Sequence, residues 1–391
     1  MSGTVASIEA GAMELMKLEP LAGPDLPRAV ATLAAGAPAA KLMAVRGMSP
    51  MRPAEFLIAV YQLSFDADAA VKGGAEAAPA NLPDKIVLGP LGDPLPAQVL
   101  HFFAERLPVA RRQAIEKILF NRATADETFV LLGKRLDEGS LELIFQNEVR
   151  LLRCPALVEA LYFNKNARMS SVSRALELCA RNGVRLDGIP AYAEIASAIM
   201  ADPNAVAPSA ADDVFAAVLT LPDATALALA QAGLDGGKGG AEEAGEDGKK
   251  KISSSFIKFD ELKIFEKIRL ATIGNAYCRS VLIRDSNRLV AMSVVRSPAI
   301  TDGEIVAAAA NRAVCDEVIR FISNSREYTK DYAVKQALVN NPKCPLASSL
   351  RLLSFLRPDD LKSLARSRNI PGALATAAKK LLQTRDKSGG G

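Results

Sequence analysis

The chain has 391 residues but only one histidine, no tryptophan, five cysteines and 5% aromatic residues. A lone imidazole, His101, rules out multi-histidine metal sites such as HExxH and leaves any histidine-based triad one candidate base. The cysteines Cys154, Cys179, Cys278, Cys315 and Cys344 are odd in number and contain no CxxC pair, which suits no secreted disulfide framework. The opening segment carries acids early and has no basic stretch followed by an apolar one, unlike a signal peptide. No uncharged apolar run approaches the roughly 18 residues of a membrane span. The nearest, residues 215–232, is broken by Pro222 and Asp223. These absences set a reducing cytoplasm as the expected setting.

Phosphate loops are missing too. Gly133-Lys134, Gly237-Lys238 and Gly248-Lys249 are not followed by Ser or Thr, so none completes a P-loop. Ser255-Phe256-Ile257-Lys258 spells SxxK without the companion motifs that would make it a nucleophile site. The apolar content of 49% is carried by small aliphatics, which suits closely packed helices better than a β-sandwich.

A recurring turn organises those helices. LVNNPKCPLASSLRLL (338–353) shows it most clearly, with relatives in VVRSPAITDGEIV from Val294, AANRAVCDEVIRFI from Ala309, RSRNIPGALATAAKKLL from Arg366 and IGNAYCRSVLI from Ile273. Each copy has a helix end, a small or polar residue (often Asn), an apolar slot residue, then a polar or Pro helix start. The slots are read as Cys278, Ile300, Cys315, Cys344 and Ile370. In the first half Leu95, Thr124, Cys154 and Met169 take the same place, at intervals of 29, 30 and 15 residues. Pro at a helix start wastes no amide, and Asn or Ser before it can cap or turn the chain. Short amphipathic helices joined this way cannot bury their apolar stripes alone and must stack on neighbours. The expectation is an all-α fold, an α-solenoid of irregular repeats in two blocks.

Composition places the break. Residues 232–255 read AGLDGGKGGAEEAGEDGKKKISSS, the pattern of a flexible linker. The expected layout is a tail or cap over 1–35, a helical block over 36–231, the linker over 232–255, a second block over 256–384 and a disordered tail over 385–391. Residues 249–391 carry 26 Lys+Arg and 13 Asp+Glu, net +13, against 22 and 31, net −9, for residues 1–248. An acidic half is thus joined to a basic one, and either the halves attract each other or the basic half faces an anionic partner.

The NPKCP and RSPAIT turns, and the segment MSPMRPAEFLIAVYQLSFDADAAVK with Asp66 and Asp68 at its turn, resemble bacterial HEAT-like repeat proteins and the leucine-rich-repeat-variant kind of helical repeat. The resemblance covers about residues 40–200 and 256–384. It implies protein or nucleic-acid binding on a curved surface. The spacing departs from strict periodicity, and the cysteine cluster that holds an iron–sulfur centre in the variant repeats is missing, so no cofactor is carried over.

Two residue classes carry candidate chemistry. The slot cysteines read as small buried hydrophobes, because a reactive thiol needs an electropositive, partly open setting. His101, between Leu100 and Phe102, reads as a packed or rim residue. The arginines of the second block are the better binding candidates. Arg288, Arg296, Arg312 and Arg326 stand at or beside the repeated turn, with Arg279 and Arg284 nearby. On a repeat they could line one edge as a guanidinium ladder for phosphate or carboxylate. The alternative is pairing with neighbouring acids such as Asp285, Asp302 or Asp316. Phe321, Tyr328 and Tyr332 are too few for reading single strands by stacking. The expected function is a non-enzymatic scaffold for protein partners in the bacterial cytoplasm. The second expectation is a basic arm that grips nucleic acid, a nucleotide or an anionic membrane surface.

Overall fold

The computed structural model describes residues 16–201, 211–219, 221, 225–226, 228, 259, 262–367 and 370–388. Among these, every regular element is helical. No helix of the described residues is long and apolar enough to cross a membrane. The chain divides into two compact units: 1–192 with 199–207, and 193–198 with 208–391. The division thus falls ahead of the expected linker, and residues 232–255 lie outside the described residues.

The first unit contains α1 (Arg28–Ala34), α2 (Pro38–Val45), α3 (Pro53–Leu63), α4 (Ala69–Asn81), α5 (Asp84–Val87), α6 (Ala97–Arg106), α7 (Arg112–Phe120) and α8 (Asp126–Arg135). It continues with α9 (Glu138–Phe145), α10 (Glu148–Arg153), α11 (Pro155–Phe163) and α12 (Met169–Arg181). The division runs through α13 (Tyr192–Ala201). The second unit contains α14 (Ala211–Leu219), α15 (Ile264–Ile273), α16 (Ala276–Leu282), α17 (Arg288–Val295), α18 (Asp302–Ala310) and α19 (Asp316–Asn324). After these come α20 (Tyr332–Asn340), α21 (Leu346–Leu353), α22 (Pro358–Arg366) and α23 (Gly372–Ser388). Asn275 Nδ2 ties α14 to this unit by donating to the Val218 carbonyl at 2.9 Å.

The starts follow local chemistry. Pro occupies the first turn of α2, α3, α11 and α22, where a missing amide costs nothing. Asp68, Asp137, Asn147, Asn287 and Asp331 cap the amides of α4, α9, α10, α17 and α20. Thr301 and Glu304 form a reciprocal capping box on α18.

Much of the packing skips one helix. In the first unit α1 packs on α3, α2 on α4, α6 on α8, α7 on α9 and α10 on α12; in the second, α15 packs on α17, α17 on α19, α18 on α20 and α21 on α23. α8 packs on α11, past the six-residue α10, while α3 on α4 and above all α22 on α23 pack as direct neighbours. Apolar residues fill the space between these layers. Phe102, Phe103, Leu132 and Leu161 are fully buried in the first unit, and Val290, Ile319, Leu338 and Leu361 in the second. Burial of one such side chain is worth about 1.5–3 kcal/mol.

One polar device recurs at the turns. Asn121, Asn164 and Asn341 each use Oδ1 to accept the amide two residues on, from Ala123, Asn166 and Lys343, at 2.8–3.0 Å. Each Nδ2 reaches back to a carbonyl about thirty residues earlier: Leu91 and Asp93, Gly133, and Ala309, all at 2.8 Å. One amide side chain therefore closes its own turn and saturates the end of an earlier helix, which would otherwise leave bare carbonyls. Ser297 does both with one hydroxyl, donating Oγ to the Thr272 carbonyl at 2.8 Å and accepting the Ala299 amide at 3.4 Å.

This geometry defines the slot as the third residue after the Asn or Ser. Thr124, Cys344 and Ile300 fit it, and the first two are buried. Two expected slots shift. In the turn from Asn311 the slot is Val314, fully buried, while Cys315 is a half-buried residue preceding α19. In the turn from Asn164 it is Ala167, and the buried Met169 belongs to the first turn of α12. Cys278 lies inside α16, buried beneath the cap that Asn275 makes to its amide at 3.1 Å. Ile370 is half-buried.

Candidate cationic interaction surface

The six candidate arginines separate into two kinds. Arg279 is 6% exposed; its Nη1 donates to the Gly274 carbonyl at 2.7 Å and its Nε to Glu304 at 2.9 Å. It joins α16 to α18 and is not open to a partner. Arg284 is half-buried, with Nε on the Ser280 carbonyl at 3.1 Å. Arg288, Arg296, Arg312 and Arg326 are all exposed, and none forms an ion pair among the described residues. The acids offered by sequence as their partners are engaged elsewhere or unpaired. Asp285 holds Lys267 at 3.1 Å and Asp316 faces Lys343 at 3.9 Å, while Asp302 has no ion-pair partner among the described residues.

The four exposed groups do not form one ladder. Arg288 begins α17 and Arg296 follows its end, so an eight-residue helix of about 12 Å holds them apart. Tyr328, beyond α19, donates its hydroxyl to the Val295 carbonyl at 3.0 Å, which brings the turn of Arg326 to the end of α17 beside Arg296. Arg312 follows α18, whose end Asn341 reaches from the end of α20 through the Ala309 carbonyl.

The aromatics among these cations are already engaged. Arg296 sits 5.6 Å from the Phe321 ring centre, and that ring meets Tyr328 edge-on at 6.4 Å. Arg357 stacks 4.7 Å over Tyr332, whose hydroxyl also holds Asp360.

Several arginines of the first unit are engaged, although Arg122, which follows Asn121 as Arg312 follows Asn311, is exposed and forms no ion pair among the described residues. Arg150 bonds Asp126 at 2.8 Å and the Thr124 carbonyl at 3.0 Å, with its guanidinium 3.7 Å over the Phe129 ring. Arg153 shares Asp126, Arg111 holds Asp84, and Arg168 holds Glu138. Arg135 ties off the end of α6, donating to the Leu107 carbonyl at 2.8 Å and to the carbonyls of Ala104 and Glu105.

The charge partition is finer than two halves. Over residues 16–201 there are 21 Lys+Arg and 20 Asp+Glu, so the folded body of the first unit is nearly neutral. The acid excess lies in residues 202–248, with nine Asp+Glu against Lys238 alone. The acid excess therefore lies outside the first helical body, and eight of its nine acids fall within the sequence of the second unit.

The remaining candidates serve packing. Burial pushes the Cys179 thiol up to about 11 and that of Cys278 up to about 12, and it raises Cys154 and Cys344 as well. None of these is poised as a thiolate near neutral pH. His101 is 4% exposed, with Nδ1 2.9 Å from the Thr128 hydroxyl, and burial lowers its pKa. No group of His, Cys, Asp and Glu among the described residues has a metal-binding arrangement.

Sequence reasoning missed an apolar feature. Two adjoining clefts of about 400 and 240 Å³ flank the Gln146–Glu148 turn of the first unit. Phe120 and Val149, 70% and 75% exposed, stand at the larger one. Phe120 ends α7 and Val149 lies in α10, and only the packing of α7 on α9 brings them together. Comparison of the chain with protein-family models, with curated proteins and with solved structures finds no match.

Proposed function

We propose that this chain is a non-enzymatic α-solenoid scaffold of HEAT-like repeats that binds partner proteins in the bacterial cytoplasm, with its second unit recognising acidic surface. Packing of helices on their second neighbours, and the asparagines that tie three turns to carbonyls about thirty residues earlier, support the solenoid reading. The observation that carries the binding role is the set of exposed, unpaired arginines at the turns of the second unit. Guanidinium groups left without carboxylates there add nothing evident to folding, yet each is ready for a bidentate anion contact. Buried thiols and a buried imidazole favour a binding role over catalysis.

The same arginines favour a second reading, in which the anion is a nucleic acid, a nucleotide or a membrane surface. One experiment separates them. The full chain and its Arg288→Gln, Arg296→Gln, Arg312→Gln, Arg326→Gln variant are titrated with polyglutamate, duplex DNA, ATP and phosphatidylglycerol vesicles at two salt concentrations. The scaffold reading expects polyglutamate to bind and the variant to weaken it. Duplex binding with a log–log salt slope of about −0.9 per contact, flattened in the variant, would establish the nucleic-acid reading instead. ATP or vesicle binding lost in the variant would establish the nucleotide or membrane reading. Binding to none of the four would remove the arginines from the account.

A further inference from the structure

The helix α21 carries leucine on both of its faces. It buries Leu352 and Leu353, each 3% exposed, together with Ser348 and Ser349, yet leaves Leu346 and Leu350 at 42% and 41%. A helix at a surface ordinarily keeps its outer face polar. Leu346 and Leu350 are four apart and share one face, and Phe355, just past the helix, adds a ring that is 60% exposed. Ala347, Arg351 and Ser354 complete that face and are exposed as well. Three large apolar side chains thus stand in solvent close to one another in sequence, a surface that a ridge of apolar side chains could cover.

The surroundings are cationic. Arg351 extends from the same face, its Nη2 held by the Ser323 carbonyl at 2.9 Å. Lys335 places its ammonium 5.3 Å from the Phe355 ring centre, and Arg357 follows in the next turn. Arg320 is exposed on α19, the helix that Arg351 touches. The nearby acids are partly engaged: Asp360 accepts from Gln336 at 2.8 Å and from Tyr332, and Asp359 lies 3.5 Å from Lys362. Glu317 on the first turn of α19, Glu327 just past it and Asp331 at the start of α20 are exposed acids with no ion pair among the described residues, fewer than the four cations Arg320, Lys335, Arg351 and Arg357.

We propose that the outer face of α21 with Phe355 is a docking site for an acidic amphipathic helix of a partner protein. Apolar residues of that helix, spaced three or four apart, would cover Leu346, Leu350 and Phe355, and carboxylates along its flanks would meet Arg320, Lys335, Arg351 and Arg357. The apolar patch accounts for a helix, and the excess of cations fixes its charge. The proposal rests on the scaffold reading and gives it a place and a partner chemistry.

The test is selection of a phage-displayed library of random 20-residue helical peptides on the full chain. The selected peptides are then measured against Leu350→Gln, Phe355→Gln and Arg320→Glu variants. These positions are exposed, so the fold should survive, and circular dichroism checks it. The proposal expects selected peptides rich in Asp and Glu with apolar residues at i and i+4. Leu350→Gln and Phe355→Gln should each weaken binding about tenfold. Arg320→Glu should weaken it too and be partly rescued by exchanging a peptide Glu for Lys. Peptides that bind equally to all variants would overturn this site and leave the scaffold reading standing. A library that yields no binders would overturn both. Phosphatidylglycerol vesicles that bind the full chain and lose it in Leu350→Gln, with no peptides selected, would assign the face to a membrane.

Discussion

Many arginines do different work in the two units. In the first, Arg111, Arg150, Arg153 and Arg168 are bound to acids of neighbouring helices, and Arg135 is spent on bare carbonyls at a helix end, although Arg122 is exposed without an ion pair among the described residues. In the second, Arg279 and Arg351 are engaged in the same ways, but Arg288, Arg296, Arg312 and Arg326 stand at turns with no ion pair among the described residues. Both units solve the same folding problem, since Asn121 and Asn164 in one and Asn341 in the other anchor turns by the same hydrogen bonds. Shared backbone chemistry with unshared charge pairing separates what holds the fold from what is left over for binding.

The largest expected effect attacks what the units share. Cys344→Asp would bury a carboxylate at a 6%-exposed position, with only Arg351 near enough to offset part of its charge, and should cost several kcal/mol, unfolding the second unit or forcing the acid to stay protonated. Urea unfolding followed by tryptic digestion reads this, and an unchanged midpoint would remove Cys344 from the interior. Asn121→Ala and Asn341→Ala come next, each leaving buried carbonyls unpaired at about 1–3 kcal/mol. If only one of the two destabilises, the turns are not equivalent.

A third prediction sharpens the contrast. Arg150→Gln loses its partners Asp126, Thr124 and Phe129 at a site where the side chain is 11% exposed, and should cost about 1–3 kcal/mol. Arg312→Gln should fall within about 0.5 kcal/mol of the parent chain. Equal losses by calorimetry would erase the distinction.

The smallest effect depends on pH. Burial lowers the His101 pKa, so the unfolded chain takes up the proton first and stability falls as pH drops below the ordinary histidine value near 6.5. Asp66, held low by its hydrogen bond from Lys41, and Asp137, held low by Ser140, add losses of the same sign below about pH 4. All three lie in the first unit. Hydrogen exchange between pH 7 and 5 should show its helices loosening ahead of those of the second, and His101→Gln should remove that difference. Equal loosening of both units would refute it.

Much of this was legible in the residues. Pro and Asn punctuation marks the turns because those residues act locally, through a fixed φ and a side chain that bonds its own backbone. Register was harder. Val314 and Cys315 are adjacent, both small and apolar, and only the hydrogen bond geometry of the turn decides which one points inward. The arginines were harder still. Arg279 and Arg288 both follow an Asn closely, yet Arg279 is buried because Glu304, twenty-five residues on, folds back to meet it. Division by composition also merged a neutral helical body with the acids of 202–248, since net charge over a long stretch hides where the charge sits. The outer leucines of α21 were hard to read because Leu346 and Leu350 stand beside the buried Leu352 and Leu353 in one short leucine-rich run, and the sequence alone does not say which pair faces inward.

The central claim is that the turn arginines of the second unit are spare for folding, whereas the paired ones of the first are not. Calorimetry on two quadruple variants tests it most directly: Arg288, Arg296, Arg312 and Arg326 to Gln in one, Arg111, Arg150, Arg153 and Arg168 to Gln in the other. The account predicts a melting temperature within about 2 °C of the parent for the first set and a drop of at least about 5 °C for the second. A comparable drop for both sets would contradict it, because the exposed arginines would then be part of what holds the fold.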